Sequence, residues 1–508
     1  MTETQTDVIL DESELEKGLI ALESAASWSP RVVSKLESLI RDGSDFDLFR
    51  VNPLRYATDK GVDESEAIDL FLHAANSGLF VMEWAIVCAS CANVFKSFRN
   101  LEQLDPNFQC ELCDMENSAN LDEYIQVMFT VSPKVRDIVL HHPDQLTAER
   151  RYFEYQLSSD ARAQVNGHTM PEILKSWTLF LSYLDAGESV TFDADLDGGV
   201  LMCRDVITSN TVGFVVTEDA RRGESSFSLS LGEDGFDDPA TSFSPMTMPS
   251  LMGDFFFPKI HLMSSSVISV RVENVTDRKA SLWAVRYPPL HEISPIKIEF
   301  NPSLSAKRTL STQTFRSLFR SELVSTEEAL TVDDLTFLFT DLKGSTSMYD
   351  EIGDATAYNL VRLHFDVLAR AVRESSGAIV KTIGDAIMAT FVNPADATRA
   401  ALAMFEELDR LNDTIAEKLE LKVGIHKGHS IAVTLNERVD YFGQTVNIAA
   451  RTQHLALAGE IYVTADVYEA PGVAGLLDGH DVFPTTGTMA GVTEEIPLFR
   501  ITIGKGTD

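Results

Sequence analysis

A chain of 508 residues with 42 basic and 77 acidic side chains carries a formal charge of −35. At about 150 residues per domain, that length implies roughly three or four domains, and a hydrophobic fraction of 44% is that of a globular protein. The acidic excess excludes non-specific binding to nucleic acid or anionic membranes, both of which need clustered Lys and Arg; a polyphosphate ligand would need cations from elsewhere.

No run of about 18 apolar residues exists, so no segment is expected to span a bilayer. Phe80–Phe95 is the most apolar stretch, and Glu83 and two cysteines interrupt it. The first residues are acidic and lack the apolar core of a secretory signal, which makes a cytoplasmic location the default expectation. Residues 1–20 hold six acidic side chains and one Lys, and read as a solvated tail. Residues 21–87 read as a helical, winged-helix-like unit. Within them Asn52–Trp84 has the pattern of helix, turn (Asp59, Lys60, Gly61), helix and apolar strand. Acidic side chains outnumber basic ones there, which argues against contact with DNA.

Cys88-x2-Cys91 and Cys110-x2-Cys113, 18 residues apart, have the spacing of a four-thiolate zinc site. Residues 88–121 are therefore expected to form a zinc ribbon holding one Zn²⁺ per chain. With every position taken by thiolate, the metal would be structural rather than catalytic. Cys203 stands apart and reads as a packed hydrophobe.

Between 122 and 301 short β-branched stretches recur: Glu188–Ala194, Val212–Val216, Ser226–Leu231, Val267–Val272 and Ala280–Val285. Gly, Asp and Ser punctuate them, as in an antiparallel sandwich or barrel. The region reads as a β-rich regulatory domain whose small-molecule or protein regulator, if it has one, the sequence does not identify. Residues 302–330 form a polar connector with a short amphipathic helix, Phe315–Leu323, placed to transmit an upstream signal.

Chemistry concentrates in residues 331–502. Leu335–Asp341 reads as a buried strand ending in a carboxylate. Gly344-Ser345-Thr346 follows and opens a helix, where free backbone N–H groups suit phosphate oxygens. Ala378–Phe391 reads as a hairpin with Asp385 at its tip. Two aspartates on adjacent strand ends suit hard divalent cations.

Four motifs carry a resemblance: Phe339-Thr-Asp-Leu-Lys-Gly-Ser-Thr346, Lys381-Thr-Ile-Gly-Asp385, Val423-Gly-Ile-His-Lys-Gly428 and Asp440–Arg451. In order and spacing they resemble the catalytic domain of bacterial class III nucleotidyl cyclases. The region before them resembles, more loosely, a module found upstream of such cyclases. The resemblance implies an α+β multidomain chain ending in a ferredoxin-like βαββαβ domain, behind a zinc-ribbon unit and a β-sandwich-like domain. It implies that Asp341 and Asp385, with the Leu342 carbonyl, hold two Mg²⁺ or Mn²⁺. Lys381 and Asp440 would read the purine, Asn447 orient the ribose and Arg451 stabilise the reacting phosphate. The substrate is then ATP, and the site is shared across a homodimer. A Lys donor and an Asp acceptor match adenine N1 and N6, which argues against guanylate cyclisation; the intact set argues against a degenerate scaffold. Two positions depart from many relatives: Ala490-Gly491 replaces a Lys-Gly that reaches the triphosphate, and His429 replaces an Arg. Lys343 and Lys427 are the cationic candidates left for the β- and γ-phosphates.

Metal analysis of the purified protein is expected to find about one zinc per chain; a metal-free protein would overturn the ribbon.

Overall fold

A computed structural model describes residues 10–88, 92–103, 107–109, 116–118, 125–163, 168–196, 198–208, 210–238, 240–250, 253–288, 298–320, 330–435, 438–488 and 495–503. The acidic start is not all tail. Asp11 caps a helix, Glu12–Ala25, by accepting from the amides of Ser13 and Glu14, and Leu15 and Leu22 on its inner face are fully buried. The excess charge sits on the outer face, so an acidic composition and a packed helix coexist.

Three further helices, Val32–Asp42, Pro53–Lys60 and Glu64–Asn76, lead into a three-stranded sheet. Its central strand Phe80–Val87 pairs antiparallel with Val94–Phe98 and with Ile125–Val131. The last of these lies within the region assigned by sequence to the β-rich domain. It belongs instead with the helical unit, because its alternate side chains close that unit's core. Cys88 is buried at the end of the central strand, and its carbonyl accepts from the Ala92 amide at 2.9 Å. Cys91, Cys110 and Cys113 lie outside the described residues.

The middle region is β-rich, as its alternation predicts, but it is not purely antiparallel. Strands Thr211–Gly232 and Gly253–Asn274 pair in parallel within an eight-stranded sheet. Both are 22 residues long; the first joins the stretches Val212–Val216 and Ser226–Leu231 into one strand, and the second extends Val267–Val272 well beyond its predicted start. The turn predicted before Ala280 is present, and Asn274 ties it down by donating to the carbonyls of Leu184, Asp185 and Arg278. The connector holds two short helices, Ala306–Leu310 and Gln313–Leu318. The second begins two residues before the predicted Phe315; residues 321–329, which include the predicted helix's end, lie outside the described set.

The C-terminal domain is built around the strand Leu330–Leu342. It pairs antiparallel with Ala386–Phe391 on one side and Leu421–Leu435 on the other. The hairpin partner Ala378–Ile383 extends the first edge. Counting the domain's four core strands in chain order, their sequence across the sheet is fourth, first, third, second, the ferredoxin-like βαββαβ arrangement. Glu460–Thr464, Ile496–Thr502 and Asp481–Gly487 continue the sheet beyond it.

Alternation on the central strand divides two cores. Leu338 and Leu342 pack with the helices Asp354–Glu374 and Pro394–Asn412. Phe337 and Phe339 face the other way, into a core that runs through Tyr441 and Phe315 to Trp84 and Phe71 of the helical unit. A further helix, Gln444–Leu455, crosses Leu421–Leu435 at Gly424, where a Cβ would lie 2.1 Å from the Gln453 backbone nitrogen. The neighbour is backbone and cannot swing aside. Gly424→Ala is therefore expected to lower the denaturant stability of the C-terminal domain by about 1–3 kcal/mol, read from the shift of its unfolding midpoint.

Candidate active site

Asp341 leaves the end of the central strand, directly opposite Lys422 in the antiparallel register. The two side chains form an ion pair, Lys422 Nζ to Asp341 Oδ2 at 3.0 Å, with both about a quarter to a third exposed. Asp385 sits at the hairpin tip, where Gly384 takes a left-handed φ of 65° that lets the chain reverse. Its Oδ2 accepts from the Leu342 amide at 3.3 Å. The structure thus brings both predicted aspartates, and the residue between strand and turn, to one place. Among the described residues no group of three or more His, Cys, Asp and Glu gathers as a metal cage; this is a pair of carboxylates beside a backbone.

Gly344, at a φ of 71°, precedes the helix Ser345–Ile352, so the turn does open a helix N-terminus as the sequence predicts. Lys343, by contrast, is turned to Glu420 at 2.7 Å and is largely exposed. Lys427 lies 3.5 Å from Asp334, and His429 lies 2.6 Å from Asp333. Both candidate phosphate contacts, Lys343 and Lys427, and the departing residue His429 thus already have a carboxylate neighbour.

Lys381 and Asp440 come from distant strands, Ala378–Ile383 and Arg438–Phe442, yet their side chains meet, Nζ to Oδ2 at 2.5 Å. A bulge between Ile379 and Lys381 re-aims the Lys side chain. Asp440 is buried and its other oxygen accepts from the Tyr441 amide at 2.8 Å. Burial holds the Tyr441 phenol above its ordinary range. Asn447 and Arg451 stand one turn apart on the helix Gln444–Leu455, Asn447 exposed and Arg451 half-buried, so their spacing presents both on one face.

Sequence reasoning missed three residues here. Lys422 follows no motif and is found only through its register with Asp341. Arg316 donates to the Val439 carbonyl at 2.6 Å, immediately before Asp440. His364 is fully buried beside Asp385, on a helix face that also buries Leu360, Val367 and Ala371; its place in that stripe, four residues after Leu360, was the available signal.

The C-terminal domain is similar to known nucleotide cyclase domains. Residues 327–473 match the adenylate and guanylate cyclase catalytic domain, and residues 12–248 match a family of unknown function (DUF5939). An adenylate cyclase of Mycosarcoma maydis is 31% identical over 192 residues, 34% of this chain and 8% of that protein. One from Anabaena cylindrica is 33% identical over 135 residues, 24% and 27% of the two chains. A pH-sensitive adenylate cyclase of Mycobacterium tuberculosis is 29% identical over 171 residues, 34% and 41%. This chain therefore spans less than half the length of these relatives. Among solved structures, an adenylyl cyclase from P. aeruginosa is 19% identical with a TM-score of 0.30, covering 35% of this chain and 98% of that one.

His426, within the third motif, is buried with Nδ1 2.9 Å from the Thr464 hydroxyl. Burial pushes its imidazolium pKa down to about 4, against the weaker pull of Asp466. A folded value below the ordinary one of about 6.5 means the unfolded chain takes up the proton first, so this stability is intact above about 6.5 and lost on acidification toward 4. His426→Gln is expected to flatten the fall in thermal midpoint between pH 7.5 and 5.5; an unchanged slope would count against it.

Proposed function

We propose that the chain is an adenylate cyclase that converts ATP to 3′,5′-cyclic AMP and pyrophosphate, with an N-terminal region that regulates it. The observation that carries this reading is the Lys381–Asp440 contact at 2.5 Å. It juxtaposes one cationic donor and one anionic acceptor, the complement of adenine, whose N1 accepts and whose N6 amino group donates. Guanine presents N1–H and an N2 amino group, both donors, and a lysine ammonium has no acceptor for them. The purine edge would take the place of the contact the two side chains now make with each other.

The donor set of Asp341, Asp385 and the Leu342 carbonyl is all oxygen and fits two Mg²⁺ or Mn²⁺. Bound there, such ions supply Lewis-acid activation of the 3′-hydroxyl and neutralise phosphate charge. Lys422 engages only Oδ2 of Asp341, which leaves Oδ1 free to serve as a ligand while the ammonium offsets the charge of the acidic pair. Asn447 orients the ribose, and Arg451 donates to the charge that grows on the reacting phosphate. The ATP 3′-oxygen attacks the α-phosphorus, the bond to the pyrophosphate oxygen breaks, and no protein nucleophile is used. Asp341 and Asp385 act from one chain, and Lys381, Asp440, Asn447 and Arg451 from the other, so a homodimer holds two equivalent sites.

The zinc reading belongs to the same proposal. Cys88 follows a buried strand, Ala92 has a φ of 58°, and Asn107–Gln109 pairs antiparallel with Glu116–Ser118, the two segments that flank Cys110 and Cys113 in sequence. That framework suits a knuckle pair holding a structural ion on Cys88, Cys91, Cys110 and Cys113.

Asp341→Ala and Asn447→Ala are each expected to lose about 10²- to 10³-fold in cyclic AMP formation from ATP. Mixed in equal amounts they should recover about a quarter of wild-type activity, because half the dimers are then mixed and each holds one complete site. No recovery on mixing would overturn the shared site, and product from GTP rather than ATP would overturn the purine assignment.

A further inference from the structure

The helix Gln313–Leu318 touches both sides of the molecule at once. Toward the helical unit, Phe315 is 2% exposed and meets Trp84 edge-on, with ring centroids 5.7 Å apart. The same ring lies in one core with Ile68, Phe71 and Leu72 of the helix Glu64–Asn76. Toward the cyclase sheet, the same helix holds two backbone groups. Gln313 Oε1 accepts from the Ile379 amide at 2.9 Å, and Arg316 Nη2 donates to the Val439 carbonyl at 2.6 Å.

Those two groups are not arbitrary. Ile379 opens the bulge that aims Lys381, and Val439 immediately precedes Asp440. The two strands are not paired with each other: one is an edge of the sheet and the other hangs off Leu421–Leu435. They are linked through three intervening strands, and this helix spans the same gap directly. The Arg316 guanidinium also lies 6.0 Å from the centre of the Tyr441 ring, so it contacts both sequence neighbours of Asp440. The helix walls a cavity of about 480 Å³ that Lys381 and Arg438 also line, which leaves the Lys side chain space to move.

We propose that Arg316, assisted by Gln313, is a positioning and specificity-determining residue: it sets the separation of Lys381 and Asp440, and through it the packing of Phe315 on Trp84 governs how well the site reads its purine. This rests on the cyclase reading above. Arg316 touches no substrate atom in this scheme. It acts through the Val439 carbonyl and Tyr441, and a displacement of the helix reaches both purine readers together, whereas Asp341 stands on the central strand, which the helix does not hold. The affected quantity should then be base recognition rather than phosphoryl chemistry.

The test is steady-state kinetics of the full-length chain carrying Arg316→Ala, Arg316→Lys or Gln313→Ala, with ATP and GTP as alternative substrates, beside thermal unfolding. Arg316→Ala should raise the KM for ATP about 3- to 10-fold and lower the preference for ATP over GTP by a similar factor, with a smaller change in kcat, as expected for a coupling residue of this kind. Arg316→Lys, which still donates to the Val439 carbonyl, should recover much of the loss, and Gln313→Ala should show the same pattern more weakly. A lowered unfolding midpoint with unchanged KM and unchanged base preference would overturn the inference, since Arg316 would then be only structural. A wild-type chain that makes no cyclic AMP from ATP would overturn the underlying cyclase reading instead.

Discussion

The antiparallel register of the strand Leu330–Leu342 is the constraint on which the rest of the site depends. Because it is flanked on both edges, neither neighbour can slip without moving a whole set of side chains to the wrong face. That register sets Asp341 against Lys422, and it brings the tip of the adjoining hairpin, with Asp385, to the Leu342 amide. The same strand separates two cores. One face packs against the long helices of its own domain, and the other joins the hydrophobic interior of the N-terminal helical unit. A single strand thus places the acidic pair and supports the surface through which upstream residues reach the site.

Electrostatics explains a second feature. A chain with a formal charge of −35 that gathers carboxylates at a strand end would repel a polyanion there. The side chains observed at the site already answer this locally: Lys422 covers Asp341, and Lys381 covers Asp440. The second pair is a closed contact that a purine edge would open. The acidic surplus lies elsewhere, on exposed helix faces such as that of Glu12–Ala25, where water carries its cost.

The packing of the connector helix against the cyclase sheet makes the two halves of the chain one mechanical object. Trp84, Phe315 and Phe319 form an aromatic series, and Tyr441 and Phe337 continue it on the sheet side. Interiors packed to this density shift as units rather than deform smoothly. A change in the helical unit therefore has a direct physical route to the strand that carries Asp440.

The linear order of residues determined a good deal. Motif spacing singled out Asp341, Asp385, Lys381, Asp440, Asn447 and Arg451 as candidates, and alternation located the central strand and most of the middle region's strands, because these signals repeat within a few residues. It misplaced what depends on distant partners. Residues 12–20 looked like tail because their charge is visible in sequence while the buried face of Leu15 and Leu22 is created only by what packs on it. Ile125–Val131 looked like the start of the β-rich region because its pairing with Phe80–Val87 spans a long stretch of chain. The parallel pairing of two 22-residue strands likewise leaves no local mark. Lys422 and Arg316 carry no motif; they matter through a strand register and a helix placement. The sequence alone therefore determined which chemical groups the protein has for its site, and the tertiary structure alone decided which of them face one another, because side-chain contact is fixed by the packing of segments far apart in the chain.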